Sequence, residues 1–172
     1  AECKPQNLMD FAMMGNLYMK GVFDIEEPRI GLINIGEESK KGTTLYKETY
    51  PMLAESDLNF VGNVEGREIP YGAADVLVCD GFVGNTVLKL TEGLGLKVME
   101  LLKAMFKANA RSKMGALMMS DQLKNLKEMF DYSEYGGAPI LGVKGAVIKI
   151  HGSSKANAVK NAILKGKPYV EN

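Results

Sequence analysis

Four short apolar runs, each closed by glycine and polar residues, constrain this chain more than any other feature. Arg29-Ile-Gly-Leu-Ile-Asn-Ile-Gly36 is rich in β-branched side chains and bounded by Pro28 and Gly36, so it reads as a buried strand. Leu58 to Val61, Asp75 to Cys79 and Val147 to Ile150 repeat the pattern. Three of the four are followed by a clearly helical stretch. This alternation predicts an α/β fold over residues 1–172, with an open, mostly parallel sheet flanked by helices.

The helices are visible as periodicity. Pro5 suits a first helical turn, and Leu8, Phe11, Ala12, Gly15 and Tyr18 follow at spacings of three and four. Residues 42–55 repeat the helical pattern. The longest helical region carries Val87, Leu90, Leu94, Val98, Leu101 and Met105 in one seam, with Met99, Leu102 and Phe106 in a second row. That stripe is broader than one small sheet needs, so part of it should face a second helix or another subunit. Ser120 can cap a partner helix bearing Leu123, Leu126 and Phe130, which gives a projecting helical hairpin over about 86–131.

A chain of 172 residues buries roughly 70% of its unfolded surface, enough for a core without staples. With 21 basic and 21 acidic residues the net charge is zero and no basic block occurs, which argues against nucleic-acid binding. Cys3 and Cys79 lack metal-ligand spacing, and Cys79 sits in an apolar run, as expected of a reduced cytoplasmic protein. No apolar stretch approaches the ~20 residues of a spanning helix, so the expected location is cytoplasmic, with at most peripheral membrane contact.

In a parallel sheet every strand-to-helix turn lies at the carboxyl edge, where ligands bind. The sequence thus predicts that Gly36-Glu-Glu38, Gly62-Asn-Val-Glu-Gly-Arg67, Asp80-Gly-Phe-Val-Gly-Asn85 and His151-Gly-Ser-Ser154 converge. Glycine lets a ligand approach the backbone, and backbone N–H groups at helix starts surround anions. A phosphate or carboxylate site is expected, with Asn63, Asn85, Ser153 and Ser154 as neutral donors and Arg67 as the cation. Plainer readings compete: a Gly-x-x-Gly turn is often only a tight connection, and a lone histidine such as His151 is usually packed or exposed. Glu37, Glu38 and Glu65 more often cap helices than bind metal. Gly93-Leu-Gly95 follows no strand and is no dinucleotide fingerprint, and no Gly-x-Ser-x-Gly elbow is present.

Five ordered motifs add a resemblance. Ile35-Gly-Glu-Glu38, Asn59-Phe-Val-Gly-Asn-Val-Glu-Gly-Arg67, Cys79-Asp-Gly-Phe-Val-Gly-Asn85, Tyr135-Gly-Gly-Ala-Pro139 and Lys149 to Ser154 together resemble the bacterial phosphate acyltransferase of phospholipid synthesis, the PlsX family. The resemblance implies transfer of a long-chain acyl group from acyl carrier protein to inorganic phosphate, without metal or organic cofactor. It implies a fold similar to the phosphate acetyltransferases and the isocitrate and isopropylmalate dehydrogenases, and a homodimer joined through the long helices. Full-length members are about twice this long, and the chain reads as their C-terminal half. The acyl-phosphate product would pass to a membrane acyltransferase. Phosphate is already a nucleophile near pH 7 and the leaving thiol has a pKa of about 8.5, so alignment and charge stabilisation should dominate. The expected catalytic residues are His151, Asn85 and Ser153, with phosphate held by Asn63, Arg67, Gly81, Phe82, Gly84, Gly136, Gly137, Gly152 and Ser154.

The hairpin tip combines Lys107, Arg111 and Lys113 with Met114, Leu117, Met118 and Met119. Basic and flexible apolar residues together suit a membrane surface or a partner groove, and equally a dimer contact. Two other functions fit the sequence: a short-chain phosphate acyltransferase using acyl coenzyme A, and a non-catalytic dimerising module that binds acyl carrier protein or membrane.

Overall fold

The structure is a computed structural model and describes residues 2–129, 137–150, 152 and 154–167. The chain divides into two compact units, Ala1–Lys89 and Leu90–Asn172, where the sequence reading expects one domain.

The first unit is a three-stranded parallel sheet with helices packed on it. Its elements run α1 (Pro5–Phe23), β1 (Ile30–Asn34), α2 (Thr44–Ala54), β2 (Phe60–Glu65), a 3-10 turn (Ile69–Tyr71) and β3 (Val76–Val78), and α3 (Gly81–Lys107) starts here. Strand order is β2-β1-β3, with Leu32 paired to Asn63 on one side and Val78 on the other. Flanked on both sides, β1 is apolar and buried from Ile30 to Ile33 and ends in the half-buried Asn34. Leu8 and Ala12 of α1, Tyr46 and Leu53 of α2, and Ile30, Leu32 and Val78 of the sheet form one cluster.

Two glycines set how closely the layers approach. A Cβ at Gly31 would lie 2.6 Å from Val64 Cγ2, and one at Gly15 would lie 2.5 Å from Val76 Cγ1. Gly31 therefore permits the β1–β2 fit and Gly15 the seating of α1 on β3. At the amino edge Arg29 locks β1 to the approach of β3. Its backbone N–H donates to Asp75 Oδ2 at 2.8 Å, its Nη2 donates to Oδ1 at 2.9 Å, and the same Nη2 reaches the Gly72 carbonyl.

In the second unit α3 continues to Lys107, followed by α4 (Ala110–Met118), α5 (Ser120–Met129), an antiparallel pair β4 (Ala138–Pro139) and β5 (Ile148–Lys149), and α6 (Ala156–Gly166). Asn109 caps α4, its side chain accepting from the Ser112 N–H at 2.9 Å. Ala158 and Ala162 are the buried face of α6.

One expectation is corrected. The run at Val147 to Ile150 is not a fourth strand of the parallel sheet. Ile148 pairs with Pro139 and Lys149 with Ala138, antiparallel, because a short glycine-bearing connection folds this run back on its immediate neighbour. The expected tip, Arg111 to Ser120, is mostly the helix α4, which Asn109 caps. Phe130 lies outside the described residues.

Candidate functional site

At the carboxyl edge of the sheet in the first unit lie the predicted turns after β1 and β3 and the end of β2, where Gly62 to Glu65, expected as turn, continues the strand. Asn34 ends β1, Asn63 lies in β2, and Cys79-Asp80 joins β3 to α3. Asn34 Nδ2 donates to Asn63 Oδ1 at 3.1 Å and to the Lys41 carbonyl at 3.1 Å. Asn63 Nδ2 in turn donates to the Glu38 carbonyl at 2.9 Å. Asn63 is only 7% exposed, and both ends of its amide are engaged. It latches the loop after β1 instead of offering a donor to ligand, because a buried amide must be satisfied internally.

Arg67, the expected cation, is paired: its Nε lies 2.6 Å from Glu65 Oε2, on a largely exposed side chain. Glu37 and Glu38 contribute backbone carbonyls to the Asn63 latch, and Glu38 also faces Lys41 at 3.7 Å. Among the described residues no group of three His, Cys, Asp or Glu side chains could hold a metal ion.

The start of α3 differs most from expectation. Gly81, Phe82 and Gly84 lie in its first turn with Asn85 directly after, yet three backbone donors there are already used. Asp80 caps the helix, its Oδ1 accepting from the Phe82 N–H at 2.8 Å and the Val83 N–H at 3.0 Å. The Gly84 N–H goes to the Asp80 carbonyl. The other carboxylate oxygen, Oδ2, accepts from the Tyr46 hydroxyl at 2.7 Å. The Phe82 and Val83 donors are therefore not open to an incoming anion. Gly84 has a packing role as well, since a Cβ there would lie 2.9 Å from Cys79 Sγ.

Beside this turn lies a cavity of about 530 Å3 lined by Cys3, Phe11, Cys79, Asp80, Gly81, Gly84, Asn85 and Leu88. Its walls are mainly apolar, and Asn85 contributes the neutral amide among its lining residues. Such a cleft, apolar with one or two placed polar groups at a carboxyl edge, is the usual form of a small-molecule site. Sequence reasoning missed Tyr46 and Cys3. Asp80 was legible, because Asp directly before a helical run is an N-cap signal.

The electrostatics follow from burial and these bonds. Burial alone would raise the Asp80 carboxyl, but the Val83 N–H, the Tyr46 hydroxyl and the Phe82 N–H outweigh it and hold the group below the usual carboxylate range. Hydrogen bonds from Arg29 hold Asp75 low. Burial, reinforced by Asp80, raises the Tyr46 hydroxyl well above its ordinary value, and burial pushes the Cys79 thiol from 9.0 up to about 11.

A carboxyl held low in the folded state contributes stability that is present above its unfolded value near 3.9 and lost as pH falls through the folded one. A hydroxyl or thiol held high contributes stability present below its unfolded value and lost as pH rises through the folded one. Thermal unfolding followed by circular dichroism should therefore show a plateau at neutral pH, a fall below about pH 4 and another above about pH 9. Asp80→Asn should shrink the acid fall and Cys79→Ala the alkaline one. Unchanged profiles in both variants would show that these groups do not couple to folding.

The remaining expected site residues fall in the second unit. Gly137 adopts φ +127°, where a Cβ would lie 2.7 Å from the Lys149 carbonyl oxygen, so glycine is required there by the β4–β5 fit. Gly152 is exposed and Ser154 half-buried. His151, Ser153 and Gly136 lie outside the described residues. Met114, Leu117 and Met118 of α4 are exposed, Met118 at 82%. Among the described residues no helix is long and apolar enough to cross a membrane.

A family model described as fatty acid synthesis protein matches residues 1–172. The phosphate acyltransferase of Alkaliphilus oremlandii is 52% identical over 172 residues, which is 100% of this chain and 51% of that protein. Those of Clostridium acetobutylicum, at 53% over 99% of the chain and 52% of the relative, and Clostridioides difficile, at 52% over 96% and 49%, are equally similar. The chain spans about half the length of the curated relatives it matches. The α/β fold with its open parallel sheet agrees with the resemblance carried by the motifs. With the whole of its length matched at about half identity, the chain belongs to the fatty acid synthesis protein family, alongside proteins named phosphate acyltransferase.

Proposed function

We propose that the chain serves a phosphate acyltransferase that moves a long-chain acyl group from acyl carrier protein to inorganic phosphate, supplying acyl phosphate for phospholipid synthesis. The observation that carries this reading is the whole-chain identity of 52% to proteins named phosphate acyltransferase. The cavity at the start of α3 supports it, as an apolar cleft beside the Asn85 amide. In the reaction a phosphate oxygen attacks the thioester carbonyl carbon, the C–S bond breaks, and the thiolate takes a proton from solvent. The groups needed are donors that align phosphate and stabilise the oxyanion. Asn85 is assigned that role.

The test supplies purified protein with long-chain acyl carrier protein, or with a short acyl coenzyme A, and follows thiol release with and without phosphate. Phosphate-dependent release from the carrier protein supports the reading. Selective use of the coenzyme A thioester points to a short-chain enzyme, and phosphate-dependent release from neither points to a binding module.

Homodimerisation through the long helix is part of the same proposal. The seam Leu90, Leu94, Val98, Leu101 and Met105 is exposed on α3, with Leu90 at 61%, which supports a second copy covering it. Peripheral membrane contact through α4 is the other part. Met114→Asp with Met118→Asp should abolish co-sedimentation with anionic vesicles, because each change removes roughly 1.5–3 kcal/mol of burial and adds repulsion. Undiminished co-sedimentation would remove the membrane contact from the account.

A further inference from the structure

The row of α3 beside the exposed seam opens on a second cavity, of about 1100 Å3, entirely within the second unit. Leu96, Met99, Leu102 and Phe106 of α3 line it together with Leu117 of α4 and Leu123 of α5. The lining of this trough is mainly apolar. From Gly95 to Phe106 it runs about 16 Å along the helix, on the order of a fatty-acyl chain laid out straight.

The charge at this trough is mainly positive. Lys103, Lys107, Lys113 and Lys124 all line it. The acidic residue among the lining, Glu100, is engaged by Lys97, whose Nζ lies 3.1 Å from Oε1. An apolar floor with a cationic rim matches one ligand chemistry: a single apolar tail ending in an anionic head. Lysine stems can pack on the tail while their ammonium groups meet the head. The volume lies just above the usual range of small-ligand sites and has room for one such molecule.

We propose that this groove holds a monomeric long-chain acyl phosphate, tail between the hairpin arms and phosphate on the lysine rim. The identity of that ligand rests on the acyl-transfer reading above, whereas the site itself is argued from the groove. A holding site of this kind would keep a reactive, poorly soluble product on the protein between its formation and the membrane reaction that consumes it.

The probe is dodecyl phosphate, a stable analogue, titrated calorimetrically into the purified protein below its micelle concentration. Dodecyltrimethylammonium and inorganic phosphate serve as controls. Expected is saturable binding of one dodecyl phosphate per chain, about tenfold or more tighter than the cationic amphiphile. Lys103→Glu with Lys107→Glu should weaken dodecyl phosphate about tenfold and invert the preference. Lys103→Gln with Lys107→Gln should show a smaller loss, and provides the test if the reversal variant misfolds.

Absent saturation, equal affinity for both head groups, or indifference to the lysine changes would overturn the proposal. So would light scattering that shows a second copy filling the groove and excluding the amphiphile, or binding seen only when the probe is in vesicles. Because binding is read without turnover, a protein that binds dodecyl phosphate but transfers no acyl group would sink the activity and keep the site. Transfer without binding would do the reverse.

Discussion

Leu32→Ala is expected to lower the unfolding free energy by about 2–5 kcal/mol. Leu32 is fully buried on the central strand, with Asn63 of β2 and Val78 of β3 as its register partners. Truncation removes apolar contact and leaves a cavity that two flanking strands and two packed helices cannot close. Urea unfolding followed by circular dichroism should show a lower midpoint with an unchanged slope. Leu117→Ala, on an exposed side chain of α4, should stay within about 0.5 kcal/mol. A loss below about 1 kcal/mol at Leu32 would mean that β1 is not the centre of the core.

The second large effect concerns activity. Asn85→Ala should reduce turnover of long-chain acyl carrier protein by about 100- to 1000-fold, the usual consequence of deleting one aligned oxyanion donor. Asn85 stands in the first turn of α3, and its side chain helps line the cavity next to Asp80. Asn85→Asp should be worse for phosphate than for thioester, because a second carboxylate beside Asp80 repels the anion, so KM for phosphate rises as kcat falls. Stability should hardly change in either variant, since the position is exposed. If turnover survives in Asn85→Ala, the donor lies elsewhere and the role of this cleft must be reassigned.

What could be read in advance was what local chemistry determines. The run from Ile30 to Ile33 is a strand because Ile30, Leu32 and Ile33 make it apolar and partly β-branched, with Gly31 as the small position. The helix from Pro5 is visible because Leu8 and Ala12 keep the helical period that buries them. Tertiary partners were the hidden part. Nothing near Asn63 in sequence says that its amide is used by Asn34 and the Glu38 carbonyl, nor that Arg67 is taken by Glu65. The fourth strand was misplaced for the same reason: Ile148 and Lys149 have strand propensity, but propensity does not say which strand they pair with. At the start of α3 the glycines drew the anion reading, while Asp80 had already filled the Phe82 and Val83 donors from within the chain.

The central claim is that phosphate accepts the acyl group. Phosphorus NMR of protein incubated with long-chain acyl carrier protein and phosphate tests it most directly, with free thiol measured in the same sample. The account predicts a new acyl-phosphate resonance that grows in step with thiol and disappears when phosphate is omitted. Thiol release that proceeds equally without phosphate, or that leaves inorganic phosphate as the sole phosphorus signal, would contradict it.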